Sequence, residues 1–175
     1  MSSYGHTSSH SILGDLNMAT IKKKPNEYGQ FGGFSPFGNS TTLLFALATN
    51  ATGAVIDSDS TAAVASGDVI DLGELPAGMR LDDAQIIVTT GMTATVTGSL
   101  GFKYADGVDD ASVPQDAAYF ISTGNINTAG RVRATGSKLV TLPKPARLIL
   151  TTAVAANAKA SDIKVIVSGE LKGPR

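Results

Sequence analysis

The sequence contains no cysteine and no tryptophan, only two histidines, and just 17% charged residues. Without cysteine there is no disulfide, no thiolate metal site and no thiol nucleophile. The compartment stays open on that count, because cytosolic proteins and extracellular particles both exist without disulfides. A formal net charge of -1 lacks the basic excess that phosphate neutralisation requires, so nucleic acid is not an expected partner. Glu, Lys and Leu do not recur at heptad spacing, which excludes a long coiled coil. No stretch approaches 18 uninterrupted apolar residues and the start lacks the apolar run of a secretory signal, so no membrane association is expected.

Small residues fill the space. Ala (23), Gly (19), Thr (18) and Ser (16) dominate the 175 residues. Val, Ile, Leu, Phe and Met together number 47, enough for one sandwich-sized core. The length suits one domain with residues to spare, and the chain is too apolar and too nearly neutral to be disordered throughout.

The first 40 residues differ from the rest. Met1–Asn17 is polar, with Ile12, Leu13 and Leu16 as its apolar cluster, and Met18 resembles a second possible start. Lys22, Lys23 and Lys24 follow, then a Gly- and Pro-rich run carrying Tyr28, Phe31, Phe34 and Phe37. Six of the ten aromatic residues lie within the first 45 positions. Gly and Pro at this density exclude a helix or a central strand, so residues 1–40 read as an extended arm and 41–175 as the domain.

From Thr41 the pattern is β: short runs of Val, Ile, Thr and Leu punctuated by Gly, Asp, Asn and Pro. The expected strands are 41–49, 68–75, 84–90, 95–104, 138–142, 146–152 and 161–170, with weaker ones at 54–57, 61–65 and 131–135. Ile163, Val165 and Val167 alternate with Lys164 and Ser168, as a half-buried strand requires. Pro76-Ala77-Gly78, Ala105-Asp106-Gly107 and Pro143-Lys144-Pro145 are turn chemistry. One helical turn is expected over Val113–Phe120, with Pro114 near its start and Asp116 as cap. Roughly eight to ten short strands without βαβ alternation predict an all-β antiparallel sandwich of jelly-roll type.

Chemistry is sparse. His6 and His10 are four apart, but the Gly and Ser between and beside them oppose a metal-binding helix. Asp106, Asp109, Asp110 and Asp116 form the densest carboxylate group, yet the spacing is not that of a calcium loop and carboxylates are ordinary turn residues. No Gly-rich segment follows a strand and opens a helix, so phosphate-cradle motifs do not apply. Arg131 and Arg133 would project from one face of a strand. No catalytic residue, metal ligand or cofactor is expected.

The arm carries the strongest pattern. Phe31, Phe34 and Phe37 recur every third residue, which in a polyproline-II conformation aligns the rings on one side. Burying three Phe side chains gains roughly 5–9 kcal/mol gross. Ordering the backbone of residues 22–40 costs on the order of 20–35 kcal/mol. The rings alone cannot hold the arm, which must also gain backbone hydrogen bonds, by strand addition to a sheet edge or in a groove. Either the segment folds back and caps one open end of its own sandwich, or it is a strap that presses its rings into pockets on another surface. On the strap reading Lys22, Lys23, Lys24, Tyr28, Phe31, Phe34 and Phe37 are the expected partner-binding residues.

Gly67–Gly78 (GDVIDLGELPAG), Ala84–Thr90 (AQIIVTT), Leu100–Gly107 (LGFKYADG) and Lys144–Thr152 (KPARLILTT) together resemble small structural proteins of tailed-phage virions. The resemblance spans about residues 67–170 and includes no catalytic signature. It implies a jelly-roll cement or decoration protein on the outside of a capsid, assembled in the host cytoplasm. The implied partners are the major capsid protein and sister copies, as a dimer or trimer at symmetry axes, with terminal arms crossing subunit boundaries. No contact residue transfers one for one. The alternative is a receptor- or glycan-binding fibre or tail module, which would need exposed aromatics in the domain or a ligand site in the loop Ala105–Asp116.

Overall fold

Alternating inward and outward residues set the architecture. The computed structural model describes residues 20–22 and 40–171, and contains ten strands and no helix among them. In chain order they are β1 (Thr20–Lys22), β2 (Ser40–Thr49), β3 (Val69–Leu75), β4 (Met79–Thr90) and β5 (Thr97–Tyr104). There follow β6 (Asp116–Asn125), β7 (Gly130–Arg133), β8 (Val140–Thr141), β9 (Ala146–Ala153) and β10 (Ser161–Leu171).

One sheet has the order β1-β3-β9-β5-β6 and the other β2-β10-β4-β7, with β8 added to β4. Setting aside β1 and β8, the strands pair from the outside inward. β2 pairs with β10, β3 with β9, β4 with β7, and β5 with β6, all antiparallel. This is a long hairpin folded over on itself into two sheets, the jelly roll that the turn spacing predicts.

The inward rows fill a single core. Leu43, Phe45 and Leu47 of β2 meet Ile163, Val165 and Val167 of β10, Leu81, Ile86 and Val88 of β4, and the facing Ile70, Leu100, Leu148 and Leu150. Each such side chain contributes about 1.5–3 kcal/mol by leaving water. Phe102, Tyr104, Tyr119 and Phe120 join edge to face, at centroid separations of 5.8, 5.4 and 4.8 Å along the chain of contacts.

The structure corrects the reading of Val113–Phe120. No helical turn forms there: Asp116 opens β6, and its Oδ1 accepts the Ala118 N–H at 2.8 Å, folding a local turn rather than capping a helix. The alternation was hidden by a bulge. Leu100 pairs with Ile121 and Phe102 with Asp116, so four residues of β6 face the single Gly101. A Cβ at 101 would lie 2.0 Å from the Asp116 carbonyl oxygen, which is why glycine stands there.

Other differences have similar causes. β4 begins at Met79, earlier than expected, because Asp82 bulges out between Leu81 and Asp83 and breaks the period. The weak strands at 54–57 and 61–65 reduce to isolated bridges, Thr49 to Val55 and Ala54 to Ala63. Arg131 and Arg133 do share a face, but both bond to the neighbouring β4, Arg131 to Gln85 at 2.9 Å and Arg133 to Asp83 at 3.2 Å.

Phe45 sets one further constraint. Its ring lies against Gly73, where φ is +154° and an added Cβ would be 2.7 Å from the ring. Gly73→Ala should therefore lower stability by about 1–3 kcal/mol through backbone strain and displacement of the ring. Chemical denaturation checks this, and unchanged stability would show that the contact is slack.

Candidate functional site

Of the residues expected to bind a partner, only Lys22 falls within the described part of the chain. Lys23, Lys24, Tyr28, Phe31, Phe34 and Phe37 lie outside the described residues, as do His6 and His10. Lys22 ends β1, which adds in parallel to the edge of β3 with Thr20 facing Val69, Ile21 facing Ile70 and Lys22 facing Asp71. Ile21 points inward and is 2% exposed. The Lys22 N–H donates to Asp59 Oδ1 at 3.0 Å, and the Asp59 N–H donates to the Lys22 carbonyl at 3.2 Å. Three residues ahead of Ser40 thus hold a sheet edge through one buried side chain and backbone hydrogen bonds.

The carboxylate loop between β5 and β6 is bound to itself. Asp109 Oδ1 accepts the N–H groups of Asp110 and Gln115, at 2.9 and 2.8 Å. Asp110 Oδ1 accepts the Ser112 hydroxyl and the Ser112 N–H, and these bonds hold its carboxyl below the usual range. The Lys144 ammonium donates to Asp106 Oδ2 and to the Val108 carbonyl, each at 2.7 Å, and lies 4.6 Å from the centre of the Tyr104 ring. Lys144 first, then the Val108 N–H, depress the Asp106 pKa. Burial, followed by the charges of Asp110, Asp109 and Asp106, raises that of Tyr104, whose hydroxyl donates to the Val113 carbonyl. Among the described residues no three His, Asp or Glu side chains converge as a metal site.

At the opposite end Asn157, 1% exposed, ties two other loops and the end of β2 to its own loop. Its Oδ1 accepts the Thr93 N–H at 3.0 Å, its amide donates to Thr49 Oγ1 and the Lys159 carbonyl, and its backbone N–H reaches the Val64 carbonyl. The Asp71–Arg147 pair on β3 and β9, with Nε 3.0 Å from both carboxylate oxygens, is a structural contact between adjacent strands. The five aromatics of the domain, Phe45, Phe102, Tyr104, Tyr119 and Phe120, are all buried at 9% exposure or less.

The outward face of the second sheet carries a small apolar group around Leu44, which is 55% exposed. Leu44 faces Ile166 across β2 and β10, with Ile87 on β4 nearby, and polar pairs such as Lys164–Asp162 border them. Sequence reasoning missed Ile21, Asp59 and Leu44. Ile21 alternates with Thr20 and Lys22 over too few residues to register, and nothing marks Asp59 among the polar residues around it. Leu44 had a signal: β2 has no charged residue, no proline and no glycine.

No family model matches the sequence, and no curated protein matches it. Solved structures do. A chain in the capsid of Ralstonia phage GP4 aligns with a TM-score of 0.60 and 18% identity, covering 89% of this chain and 100% of that one. A chain in the cyanophage Pam1 capsid asymmetric unit gives 0.56 and 17%, covering 80% and 90%. The jelly roll described above is therefore a fold shared with chains of phage capsids.

The β1 seat is directly testable. Ile21→Ala should cost about 2–4 kcal/mol in chemical denaturation, as a large-to-small change in a core does. A loss below about 0.5 kcal/mol would mean that β1 contributes little to the sheet it joins.

Proposed function

We propose that the chain is a non-enzymatic structural protein of a phage virion that binds the outer surface of the capsid and cements the major capsid protein lattice. The shared fold with chains of two phage capsids carries the reading. The chemistry of the domain is consistent with it. The carboxylates of its β5–β6 loop are engaged by N–H groups of that loop and by Lys144 of the β8–β9 connection. Its aromatics are buried, which leaves a glycan-binding module without the exposed rings that sugar stacking uses.

In this reading the sandwich rests over a junction between shell subunits. The arm, residues 1–40, supplies the anchors: Tyr28, Phe31, Phe34 and Phe37 enter apolar pockets, and Lys22, Lys23 and Lys24 meet acidic groups on the shell. β1 gives this arm a fixed origin on the domain, because Ile21 is buried and Lys22 is bonded to Asp59. Repetition over the shell multiplies a modest affinity per copy, which is how many weak contacts stiffen a lattice. Sister copies and the major capsid protein are the partners.

The test uses capsid shells assembled without this protein. Full-length chain added to such shells should bind in a fixed ratio and raise their disruption temperature. The triple variant Phe31→Ser, Phe34→Ser, Phe37→Ser should bind at least about 100-fold more weakly, since each lost ring removes about 1.5–3 kcal/mol, while melting as the wild type does. Failure of any shell to assemble without the chain would instead make it a shell-building subunit and overturn the cement reading.

A further inference from the structure

A jelly roll leaves sheet edges, and three of the edges here are blocked. β1 is three residues long and its outer backbone is engaged by Asp59. β6 is broken by its bulge against β5, and the Phe120 carbonyl accepts the Thr135 N–H at 3.0 Å. β7 is four residues long and carries Arg131 and Arg133. Short strands, bulges and charges are the usual devices that stop one sheet from adding to another.

β2 has none of them. It runs ten residues, STTLLFALAT, without charge, proline, glycine or a bulge against β10. Its outer side can be assigned from the backbone. The Ala48 carbonyl accepts the Ile56 N–H at 2.9 Å in the bridge on the side away from β10. Both backbone groups of a strand residue point the same way and successive residues alternate, so Thr42, Leu44 and Ala46 also direct N–H and C=O outward. Among the described residues nothing pairs with these three. Leu44, at their centre, is 55% exposed and continues into the half-buried Ile166.

We propose that this edge pairs with the same edge of a second copy, antiparallel about a two-fold axis through Leu44. The register is self-complementary: Thr42 faces Ala46 of the partner, Leu44 faces its equivalent, and Ala46 faces Thr42. Each facing pair exchanges both N–H···O=C bonds. The paired segment ends before Ala48, whose carbonyl already has its partner, so the intramolecular bridge to Val55 is preserved. The two exposed leucines cover each other, with Ile166 of each copy beside them. No charged residue of β2 opposes another, because β2 has none. The result is one continuous sheet across two sandwiches, an isologous contact of the kind that closes at two copies.

The chain contains no cysteine, which makes the test clean. Full-length Leu44→Cys should form a disulfide-linked dimer under mild oxidation, since facing residues in such a pair stand about 5.5 Å apart between Cα atoms. A cysteine at Glu74, exposed on the other sheet, should not. Sedimentation over two decades of concentration should show a monomer–dimer equilibrium for the wild type, weakened at least about tenfold by Leu44→Lys, which opposes like charges across the axis. Leu44→Pro removes only an outward N–H and should act similarly, so the two variants guard against misfolding of either. A wild type that stays monomeric throughout overturns the proposal. In that case, slow hydrogen exchange at the amides of Thr42, Leu44 and Ala46 would assign the edge to the chain's own arm. A dimer indifferent to both variants, or one that Leu44→Cys does not link, overturns it equally.

Discussion

β10 lies between β2 and β4 and pairs along its length with both. Its inward residues, Ile163, Val165 and Val167, stand at the middle of the core, and its backbone is the only sheet partner that β2 has among the described strands. Because β2 is the first of the antiparallel strands and β10 the last, every other antiparallel pair is nested inside this one. The sheets cannot close until the final strand is in place. Such a fold is built from distant pairings and carries the slow, entropy-limited folding that high contact order brings.

Much of this was legible in the sequence. The clean alternation of Ile163, Val165 and Val167 and the run from Thr41 to Thr49 marked two strands, whose pairing only the fold shows, and the turn chemistry between strands identified the class. The misread strand boundaries at β4 and β6 share one physical origin: bulges. Where Gly101 lets four residues of β6 pass against one of β5, Tyr119, Phe120 and Ile121 become buried in succession and imitate a helical turn. Where Asp82 swings out of β4, two charged residues interrupt a strand whose inward row, Leu81 to Ala84, is continuous in space. Pattern rules assume a constant period, and a bulge shifts it, by one residue in β4 and by three in β6. Asn157 was invisible for another reason, since its importance lies in three loops and a strand end that only the fold brings together.

The distribution of large side chains links the fold to its proposed role. Four of the domain's five aromatics are locked edge to face in the core, Asp109 and Asp110 answer N–H groups of their own loop, and its arginines pair along the sheet. The sandwich is left with surfaces and edges to offer a partner. Of the five remaining rings, four, Tyr28, Phe31, Phe34 and Phe37, occur between β1 and β2. A chain anchored on both sides of that segment, at Ile21 and at Ser40, can present it without losing its attachment. Binding through a short anchored segment, repeated many times over a lattice, suits a protein whose composition is a small-residue scaffold.

The most direct measurement is a density map of the virion at side-chain resolution. The account predicts a shell closed by a different protein, with this jelly roll seated on its outside and the rings of Phe31, Phe34 and Phe37 buried in pockets of the shell. A map in which this chain itself forms the continuous shell, or in which those three rings rest on their own sandwich, would contradict it.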